Sequence, residues 1–299
     1  VFNDTRLKNL PGNIAIGHNR YSTTGVSGIK NAQPCLIDYA GGTMALGHNG
    51  NLVNATEIRK ELGAAGAIFQ STNDSEVIVH LMAQSQCNLF VDRAVAALSQ
   101  VKGAYSIVLM SENELIAARD PQGFRPLCLG KLEGAYIVAS ESCVMDLVEA
   151  EFIREIEPGE LILINQSGVK SFFPFPKTPT KQCVFEHIYF SRPDSNLFGR
   201  SVYSVRMLMG RALAIEKPVE ADVVVPVPDS GVISAMGYSE ETGIPFQMGL
   251  IRNHYVGRTF IEPQSQIRDF GVKIKLNAVK HVIEGKRVII IDDSIVRGT

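Results

Sequence analysis

Two stretches in the second half of the chain run from consecutive apolar residues directly into an acidic, serine-containing turn. One is "ADVVVPVPDSG" at 221–231 and the other is "GKRVIIIDDSIVRGT" at 285–299. An uninterrupted apolar, β-branched run is typical of a parallel strand buried on both faces. A helical pattern, "VISAMGYSEETG", follows the first run, and "AVKHVIEG", ending at Gly285, precedes the second. This alternation predicts an α/β fold with a parallel sheet, whose ligands bind outside the carboxyl ends of the strands.

The first 165 residues follow a different pattern. Short strand-like stretches are separated by glycine and asparagine turns. The strand-like stretches are "NIAIGHNR", "TMALGHNGNL", "AYSIVLMS", "ELIAARD", "AYIVASE" and "ELILINQ". Two helical patterns interrupt them, "NATEIRKELGAAG" and "SEVIVHLMAQS", the second with apolar residues at helical spacing. Strands in groups with helices set apart predict an α+β layered domain.

A stretch rich in proline and phenylalanine separates these two patterns. It covers residues 166–182, "QSGVKSFFPFPKTPTKQ", and has no apolar period. We expect the domain boundary there, with one domain at 1–172 and another at 173–299. A chain of 299 residues is long enough for two hydrophobic cores of ordinary size.

Composition narrows the classes of partner. The 29 basic and 31 acidic side chains nearly cancel, so the chain lacks the global positive field that gathers nucleic acid or anionic lipid. We find no run of about 18 apolar residues and no secretory leader, and we therefore expect a cytoplasmic protein without a membrane span. Five widely spaced cysteines without a C-x-x-C pattern predict reduced thiols and no complete zinc site.

The paired acids after the second apolar run indicate a sugar phosphate. Asp292 and Asp293 should lie at the ligand edge of the sheet, where two carboxylates can accept hydrogen bonds from vicinal hydroxyls or hold a hard cation. The following loop offers backbone N–H groups and hydroxyls that can bind a phosphate. Its candidate residues are Ser294, Arg297, Gly298 and Thr299. The alternative is that the acids cap a helix and the glycine turns the chain.

The first apolar run ends in a second anion-friendly turn. Asp229, Ser230 and Gly231 should lie at the same edge of the same sheet, where they can hold a second phosphate group or a metal-bridged diphosphate. The chain contains neither G-x-x-x-x-G-K-[ST] nor G-x-G-x-x-G, which disfavours a P-loop nucleotidase or a dinucleotide enzyme.

Polar residues of the first half offer a site for an amino acid. Arg20 can clamp an α-carboxylate, and Asp74 can pair with an α-ammonium. The Asn49 side chain and the Gly50 backbone N–H can form an oxyanion hole, although Asn-Gly alone is ordinarily a turn that ends a strand. His18 and His48 can serve a metal or act as a base, but we expect hydrogen-bonding roles for both.

These motifs carry a family resemblance. "VIIIDDSIVRGT" resembles the phosphoribosyl diphosphate (PRPP) motif of type I phosphoribosyltransferases, and "PVPDSG" resembles their pyrophosphate loop. "GHNRYST", "GHNGNL" and "STNDSE" resemble glutamine amidotransferases of the amino-terminal-nucleophile (Ntn) class. "GLIRNHYVGRTFIEPQSQIR" at 249–268 is similar to the flexible catalytic loop of the amidophosphoribosyltransferase family, which combines both halves in this order. The candidate loop residues are Arg252, His254, Tyr255, Arg258, Thr259 and Arg268.

The resemblance implies a fold and an activity. The expected fold is α+β followed by α/β: a four-layer αββα Ntn domain and a phosphoribosyltransferase domain. The expected reaction is the first step of purine synthesis, in which glutamine and PRPP give 5-phosphoribosylamine, glutamate and pyrophosphate. Mg²⁺ is the implied cofactor, with Ser230, Asp292 and Asp293 as its ligands. The family also implies purine nucleotides as feedback inhibitors and a homo-oligomer, either a tetramer or a dimer.

Two departures qualify the resemblance. The Ntn class needs a cysteine as first residue, whereas this chain begins at Val1, so we expect a fragment that lacks both ends and is inactive by itself. Cys183, in "KQCVFEHIYFSRPDS", matches a [4Fe–4S] ligand of one family branch, whose other ligands we expect beyond Thr299, or else is an inert thiol. The remaining alternatives are another class II glutamine amidotransferase and a non-catalytic PRPP- or nucleotide-binding regulator.

Overall fold

The chain divides into two compact units. A computed structural model describes residues 3, 8–10, 12–19, 29–253 and 275–295, and the division places Val1–Cys183 in the first unit and Val184–Thr299 in the second. This division lies somewhat further along the chain than the boundary between 172 and 173 expected from the sequence. The assignment of a separate activity to each stretch stays a prediction.

Two antiparallel sheets are present in the described residues of the first unit. The larger has six strands in the order β1-β2-β3-β4-β8-β9 and the smaller has three in the order β6-β5-β7. The strands are β1 (Cys35–Tyr39), β2 (Gly42–Leu52), β3 (Gly103–Met110), β4 (Leu115–Arg119), β5 (Cys128–Leu132), β6 (Ala135–Ala139), β7 (Glu151–Glu155), β8 (Leu161–Asn165) and β9 (Gly168–Phe172).

Both faces of the six-stranded sheet are covered, because alternate residues of a strand point to opposite faces. In β4, Ile116 and Ala118 belong to the main core together with residues of the helices, whereas Ala117 packs in a second cluster with Leu127 and Leu129 next to the smaller sheet. The helices of this unit are α1 (Ala55–Ala64), α2 (Glu76–Gln84), α3 (Phe90–Leu98) and α4 (Cys143–Leu147). Helices and the second sheet thus form layers on either side of the larger sheet.

The second unit is built around two neighbouring parallel strands. Strand β12 pairs in parallel with β15, from Val223 opposite Val288 to Pro226 opposite Ile291. After a π-helix at Glu186–Phe190, its described elements are β10 (Asn196–Leu197), β11 (Arg200–Ser201), α5 (Val202–Glu216), β12 (Val223–Pro226), α6 (Val232–Thr242), β13 (Leu250–Arg252), β14 (Leu276–Ala278), α7 (Lys280–Ile283) and β15 (Val288–Ile291). Because both strands run in the same direction, their carboxyl ends meet at one edge, as the two apolar runs predicted.

Close packing of α5 against α6 supports this pair of strands. A Cβ on Gly210 would lie 1.9 Å from the Ser234 carbonyl oxygen, and one on Gly237 would lie 2.1 Å from the Met207 carbonyl oxygen. Glycine at both positions therefore lets the two helix backbones touch.

Three local predictions need correction. The described part of "NIAIGHNR" is not a strand; residues 14–19 alternate between half-buried and exposed but form no ladder. Asn49 and Gly50 do not form a turn, because they lie inside β2 and pair with Ser106 and Tyr105 of β3. The helix in "AVKHVIEG" covers only Lys280–Ile283, although Gly285 follows it with the expected left-handed φ of 73°. Within the described ranges, no helix is long and apolar enough to cross a membrane.

Candidate functional site

Strand β2 positions Asn49 and Gly50 in the first unit. Both residues are half-buried, and hydrogen bonding to β3 on one side fixes their backbone. The Asn49 side chain faces Arg125, whose Nε and Nη2 atoms lie 3.2 and 3.0 Å from Asn49 Oδ1. An amide side chain and a backbone N–H are thus presented side by side on a rigid strand.

The structure brings Asp74 to the same strand. Asp74 lies in the turn before α2, and its Oδ2 atom accepts a hydrogen bond of 2.8 Å from the backbone N–H of Leu52. Leu52 ends β2, two residues beyond Gly50. The Ser75 hydroxyl lies 3.3 Å from Asp74 Oδ1 and links this loop to the buried residues beneath it. Three of the four predicted glutamine-site residues therefore gather around the end of one strand.

A buried acid organises the loop that carries Asp74. Glu76 accepts hydrogen bonds from the backbone N–H groups of Gln70 and Ser71, at 2.6 and 3.0 Å. These bonds outweigh the effect of burial and hold the pKa of Glu76 below its ordinary value. Arg59 donates to the carbonyl oxygens of Ser71 and Asn73, at 3.0 and 2.6 Å, and closes the loop from the other side.

His48 has a structural role in the site. It is buried beneath the strand, with Nε2 3.3 Å from the Ala104 carbonyl oxygen and Nδ1 2.7 Å from the Ser75 hydroxyl. Burial lowers the pKa of His48, although the Asp74 carboxylate opposes that shift. A carbonyl oxygen can only accept, so the neutral ring donates from Nε2 and accepts from Ser75 at Nδ1. His48 therefore joins β3 to the Asp74 loop, in agreement with the hydrogen-bonding role expected for it.

The other histidine lies close to the same strand. A Cβ on Gly47 would lie 3.9 Å from His18 Nδ1, so His18 borders β2 next to His48. Neither histidine is part of a metal-binding group in the described ranges, where no three His, Cys, Asp or Glu side chains come together to hold an ion.

In the second unit, the turn after β12 lies in direct contact with the last residue of β15. The backbone N–H of Val227 donates to the carbonyl oxygen of Ile291 at 2.8 Å, and Gly231 packs against the same oxygen. Asp229 and Ser230 therefore lie in a turn beside the strand end that Asp292 follows. Helix α6 begins immediately after Gly231, so its first backbone N–H groups face this edge.

The carboxylates of Asp292 and Asp293 accept hydrogen bonds from their own neighbours at the end of β15. The backbone N–H of Asp293 donates to Asp292 Oδ1 at 2.8 Å, and the Ser294 hydroxyl donates to Asp293 Oδ1. Asp292 is exposed, and partial loss of water around it raises its pKa above the ordinary value; the Asp293 charge adds to that shift, while the Asp293 backbone N–H and Lys275 oppose it. A cation at this place would relieve the cost of ionising Asp292.

These oxygen donors fit a magnesium ion bound together with a substrate. Mg²⁺ usually keeps several waters and takes one or two protein carboxylates along with phosphate oxygens, and Asp292 and Asp293 can provide such a pair. An iron–sulfur cluster at Cys183 would need further ligands from outside the described residues. Cys183 is a half-buried free thiol whose backbone N–H donates to the Phe124 carbonyl oxygen at 3.1 Å, and the described residues place no group of ligands around it.

One contact at the sheet edge was not anticipated. Arg252, the last residue of β13, forms an ion pair with Asp229 of the turn. The sequence placed both residues in the PRPP site but did not pair them. The contact of Arg125 with Asn49 was missed altogether, because it joins residues 76 positions apart and "PQGFRPL" looks like an ordinary turn.

Several predicted site residues lie outside the described residues. They are Arg20 of the predicted glutamine site, Arg297, Gly298 and Thr299 of the predicted phosphate site, and His254, Tyr255, Arg258, Thr259 and Arg268 of the predicted catalytic loop.

Comparison with known proteins places this geometry in context. A family model described as a glutamine amidotransferase domain matches residues 18–146. The chain is 54% identical over 300 residues to amidophosphoribosyltransferase 1, chloroplastic, of Arabidopsis thaliana, covering all of this chain and 53% of that protein. It is 47% identical over 316 residues to the amidophosphoribosyltransferase of Methanocaldococcus jannaschii, covering all of this chain and 67% of that protein.

A solved structure is also similar to this chain along most of its length. The glutamine PRPP amidotransferase of B. subtilis complexed with ADP and GMP superposes with a TM-score of 0.86 at 50% identity, covering 94% of this chain and 61% of that one. The fold is therefore an Ntn-type glutamine amidotransferase unit followed by a type I phosphoribosyltransferase unit, as the resemblance implied. The chain spans about half the length of the Arabidopsis relative it matches. By its identity to these proteins along its whole length, the chain belongs to the amidophosphoribosyltransferase family.

Proposed function

We propose that the protein containing this chain is a glutamine-dependent phosphoribosyltransferase. It converts glutamine, PRPP and water to 5-phosphoribosylamine, glutamate and pyrophosphate, the first committed step of de novo purine (IMP) synthesis. Residues 1–172 handle glutamine in this proposal, and residues 173–299 handle PRPP. Ammonia released from glutamine in the first half is the nucleophile that attacks C1 of the ribose in the second.

The glutamine site is assigned to four residues. Arg20 binds the α-carboxylate and Asp74 binds the α-ammonium of the substrate. Asn49 and the Gly50 backbone N–H stabilise the oxyanion that forms on the side-chain carboxamide. The gathering of Asp74, Asn49 and Gly50 at the end of β2 supports this assignment.

The PRPP site is assigned to the two turns of the second unit. Asp292 and Asp293 bind the ribose hydroxyls, the loop from Ser294 to Thr299 binds the 5-phosphate, and Asp229 to Gly231 bind the diphosphate. Mg²⁺, held by Asp292, Asp293 and Ser230, would neutralise charge on the departing pyrophosphate. Arg252, with Tyr255, Arg258 and Thr259 of the flexible loop, closes over the diphosphate and excludes water.

The observation that carries the proposal is the meeting of both acidic turns at the carboxyl ends of β12 and β15. A glutamine amidotransferase of another type would share the first site but has no reason to place two acidic, serine-containing turns side by side. A regulator without catalysis would bind PRPP or nucleotides and release no product.

The experiment that tests the proposal uses the full-length protein. Calorimetric titration with PRPP and Mg²⁺ should show binding, and glutamate and pyrophosphate should form in equal amounts when glutamine is added. Absence of PRPP binding would favour another amidotransferase, and PRPP binding without product would favour a regulator. Asp292→Ala should abolish the PRPP-dependent product while leaving PRPP-independent glutamine hydrolysis, so unchanged PRPP kinetics in that variant would count against the acid pair.

The remaining assignments rest on the resemblance. Purine nucleotides are proposed as feedback inhibitors, since a relative was solved with ADP and GMP. The protein is further proposed to be a cytoplasmic homo-oligomer, either a dimer or a tetramer. A [4Fe–4S] cluster is also proposed, with Cys183 as one ligand and the other ligands outside residues 1–299. Iron and sulfide analysis of the purified protein tests it.

A further inference from the structure

We propose that Arg125 is a positioning residue that holds the Asn49 side chain in the one orientation able to stabilise an oxyanion. The inference rests on the glutaminase activity proposed above. Its geometric basis is the pair of N–H groups, Nε and Nη2, that Arg125 directs at Asn49 Oδ1 from 3.2 and 3.0 Å. Arg125 itself does not need to touch the substrate in this arrangement.

The chemistry of the two side chains decides the orientation. A guanidinium group only donates hydrogen bonds, so it accepts the oxygen end of an amide and repels the nitrogen end. With Oδ1 facing Arg125, the Nδ2 group of Asn49 is turned away from the guanidinium and is free to act as the donor of the oxyanion hole. The flipped amide would set two donors against each other and would present its oxygen to a negatively charged intermediate.

Arg125 is held in place through its own carbonyl oxygen. That oxygen accepts hydrogen bonds from Arg119 Nε at 2.8 Å and from the Ser106 hydroxyl at 3.1 Å. Ser106 is the cross-strand neighbour of both Asn49 and Arg119, so the three residues form a row across β2, β3 and β4. The support for Arg125 is therefore built on the same strands that carry Asn49.

The turn that delivers Arg125 is rigid for a separate reason. Buried Arg119 also donates to the carbonyl oxygens of Ile156 and Gly123, at 2.6 and 3.0 Å. Buried Asp120 accepts the backbone N–H groups of Gln122 and Phe124, at 2.9 and 3.1 Å. The turn is thus organised before any ligand arrives, which is what an effective oxyanion hole requires.

The permanent charge of Arg125 adds an electronic effect. A hydrogen bond from a charged donor to Oδ1 polarises the amide and makes its N–H a stronger donor on the opposite side. An apolar replacement removes both this polarisation and the orientation, whereas lysine keeps the charge but loses the two-pronged geometry.

The test compares Arg125→Met, Arg125→Lys and a matched control, Lys131→Met, in the full-length protein. Lys131 is an exposed base on β5 of the same unit that contacts only the Tyr136 ring among the ring contacts of the described residues, and its removal should leave kcat for glutamine hydrolysis unchanged. Removal of one oxyanion donor lowers kcat by about 10²- to 10³-fold, so we expect Arg125→Met to lower kcat for glutamine hydrolysis by about 10- to 100-fold. The KM for glutamine should stay nearly constant, because the α-carboxylate and the α-ammonium are assigned to Arg20 and Asp74. The kcat of Arg125→Lys should lie between that of Arg125→Met and that of the wild type.

A double-mutant cycle separates positioning from general damage. If Arg125 acts through Asn49, then adding Arg125→Met to Asn49→Ala should cause no further loss of kcat, whereas multiplying losses would overturn the inference. Ammonia-dependent formation of phosphoribosylamine should be unchanged in every variant, and its loss in Arg125→Met alone would show a folding defect and overturn the inference.

A final measurement does not depend on turnover. The side-chain NH₂ group of Asn49, assigned in NMR spectra by its disappearance in Asn49→Ala, should have a high order parameter in the wild type and a low one in Arg125→Met. Equal order parameters would overturn the positioning role whether or not glutamine is hydrolysed. If the wild-type protein hydrolyses no glutamine, the proposed function fails, and the order parameter alone decides the role of Arg125.

Discussion

Gly50 lies directly against the carbonyl oxygen of Ala104 on the neighbouring strand: a Cβ on Gly50 would approach that oxygen to 2.0 Å. The same Cβ would come within 2.7 Å of His48 Nε2. Since His48 itself contacts the Ala104 carbonyl oxygen, a side chain at position 50 has no space on either side. The close approach of backbone atoms explains why this position of β2 is a glycine.

Gly50→Ala should therefore damage both the fold and the glutamine site. Overpacking of this kind costs about 1 to 3 kcal/mol, because the strands must separate to admit the methyl group. Separation also moves the Gly50 backbone N–H away from the position required for the oxyanion. We expect a lower melting temperature and at least a tenfold lower kcat for glutamine hydrolysis, measured by thermal unfolding and glutamate release.

Gly63→Ala is the matched control for that substitution. Gly63 lies near the end of α1, where a Cβ would meet nothing within 4 Å, and alanine is the better helix former by about 1 kcal/mol. Gly63→Ala should raise the melting temperature and leave glutaminase activity unchanged. Equal effects of the two substitutions would contradict the packing argument at Gly50.

The buried, neutral His48 makes the stability of the first unit sensitive to acid. Burial lowers its pKa in the folded protein, whereas the unfolded chain titrates near the ordinary value of 6.5. The unfolded state therefore binds a proton first as the pH falls below 6.5, and stability decreases by up to about 1.4 kcal/mol per pH unit over the window between the two pKa values. At higher pH the full stability is present.

His48→Gln removes that titration while retaining one donor and one acceptor. The melting temperature of the variant should decline less between pH 7.5 and 5.5 than that of the wild type, whatever its value at pH 7.5. His281→Gln, which removes an exposed histidine from α7, should retain the wild-type dependence. Parallel curves for His48→Gln and the wild type would show that folding does not shift the pKa of His48.

Much of the architecture could be predicted because it follows from local patterns. The two apolar runs became β12 and β15, parallel and adjacent, since such runs are stable only when buried on both faces. The helices α1 and α2 lie where their apolar periods predicted them. The segment around Ile14 was predicted to be a strand because alternation of polar and apolar residues signals an extended chain, but it does not supply a ladder partner.

The site was harder to predict than the fold, because its geometry depends on register. Asn-Gly signals a turn in isolation, and only the pairing of β2 with β3 shows that Asn49 and Gly50 belong to a long strand. Arg125 was overlooked for the same reason: its partner Asn49 is brought near by the order β2-β3-β4 of the sheet. Residue types suggested the chemistry, and strand register determined which residues meet.

We expect the ionised Asp292 side chain to lower the stability of the folded second unit, although it is proposed to bind the substrate. Its pKa is raised in the folded protein, so ionisation at neutral pH is less favourable there than in the unfolded chain. Asp292→Asn should therefore raise the melting temperature of the second unit at pH 7. This gain should vanish as the pH falls below the ordinary value of 3.8, where the carboxyl group is protonated in both states.

The same variant should lose affinity for Mg²⁺ with PRPP, because an amide cannot replace a carboxylate opposite a divalent cation. Calorimetric titration measures the affinity, and thermal unfolding at pH 7 measures the stability. A variant that is both less stable and weaker in binding would contradict the assignment of Asp292 as a residue kept for function at a cost in stability.

Substitutions of Gly231 and Ser230 test separately how the backbone and a side chain of the turn after β12 contribute to PRPP binding. A Cβ on Gly231 would lie 2.3 Å from the Ile291 carbonyl oxygen and 3.0 Å from that of Val227, which are both backbone atoms that cannot move independently. Gly231→Ala should displace the turn from the end of β15, lowering both the melting temperature and the affinity for PRPP. Ser230→Ala removes one hydroxyl group without a clash, so it should weaken binding of PRPP with Mg²⁺ while the melting temperature stays within about a degree of the wild type. If Gly231→Ala bound PRPP as tightly as the wild type, the turn would not need its contact with Ile291, and the diphosphate site would have to lie elsewhere on the sheet edge.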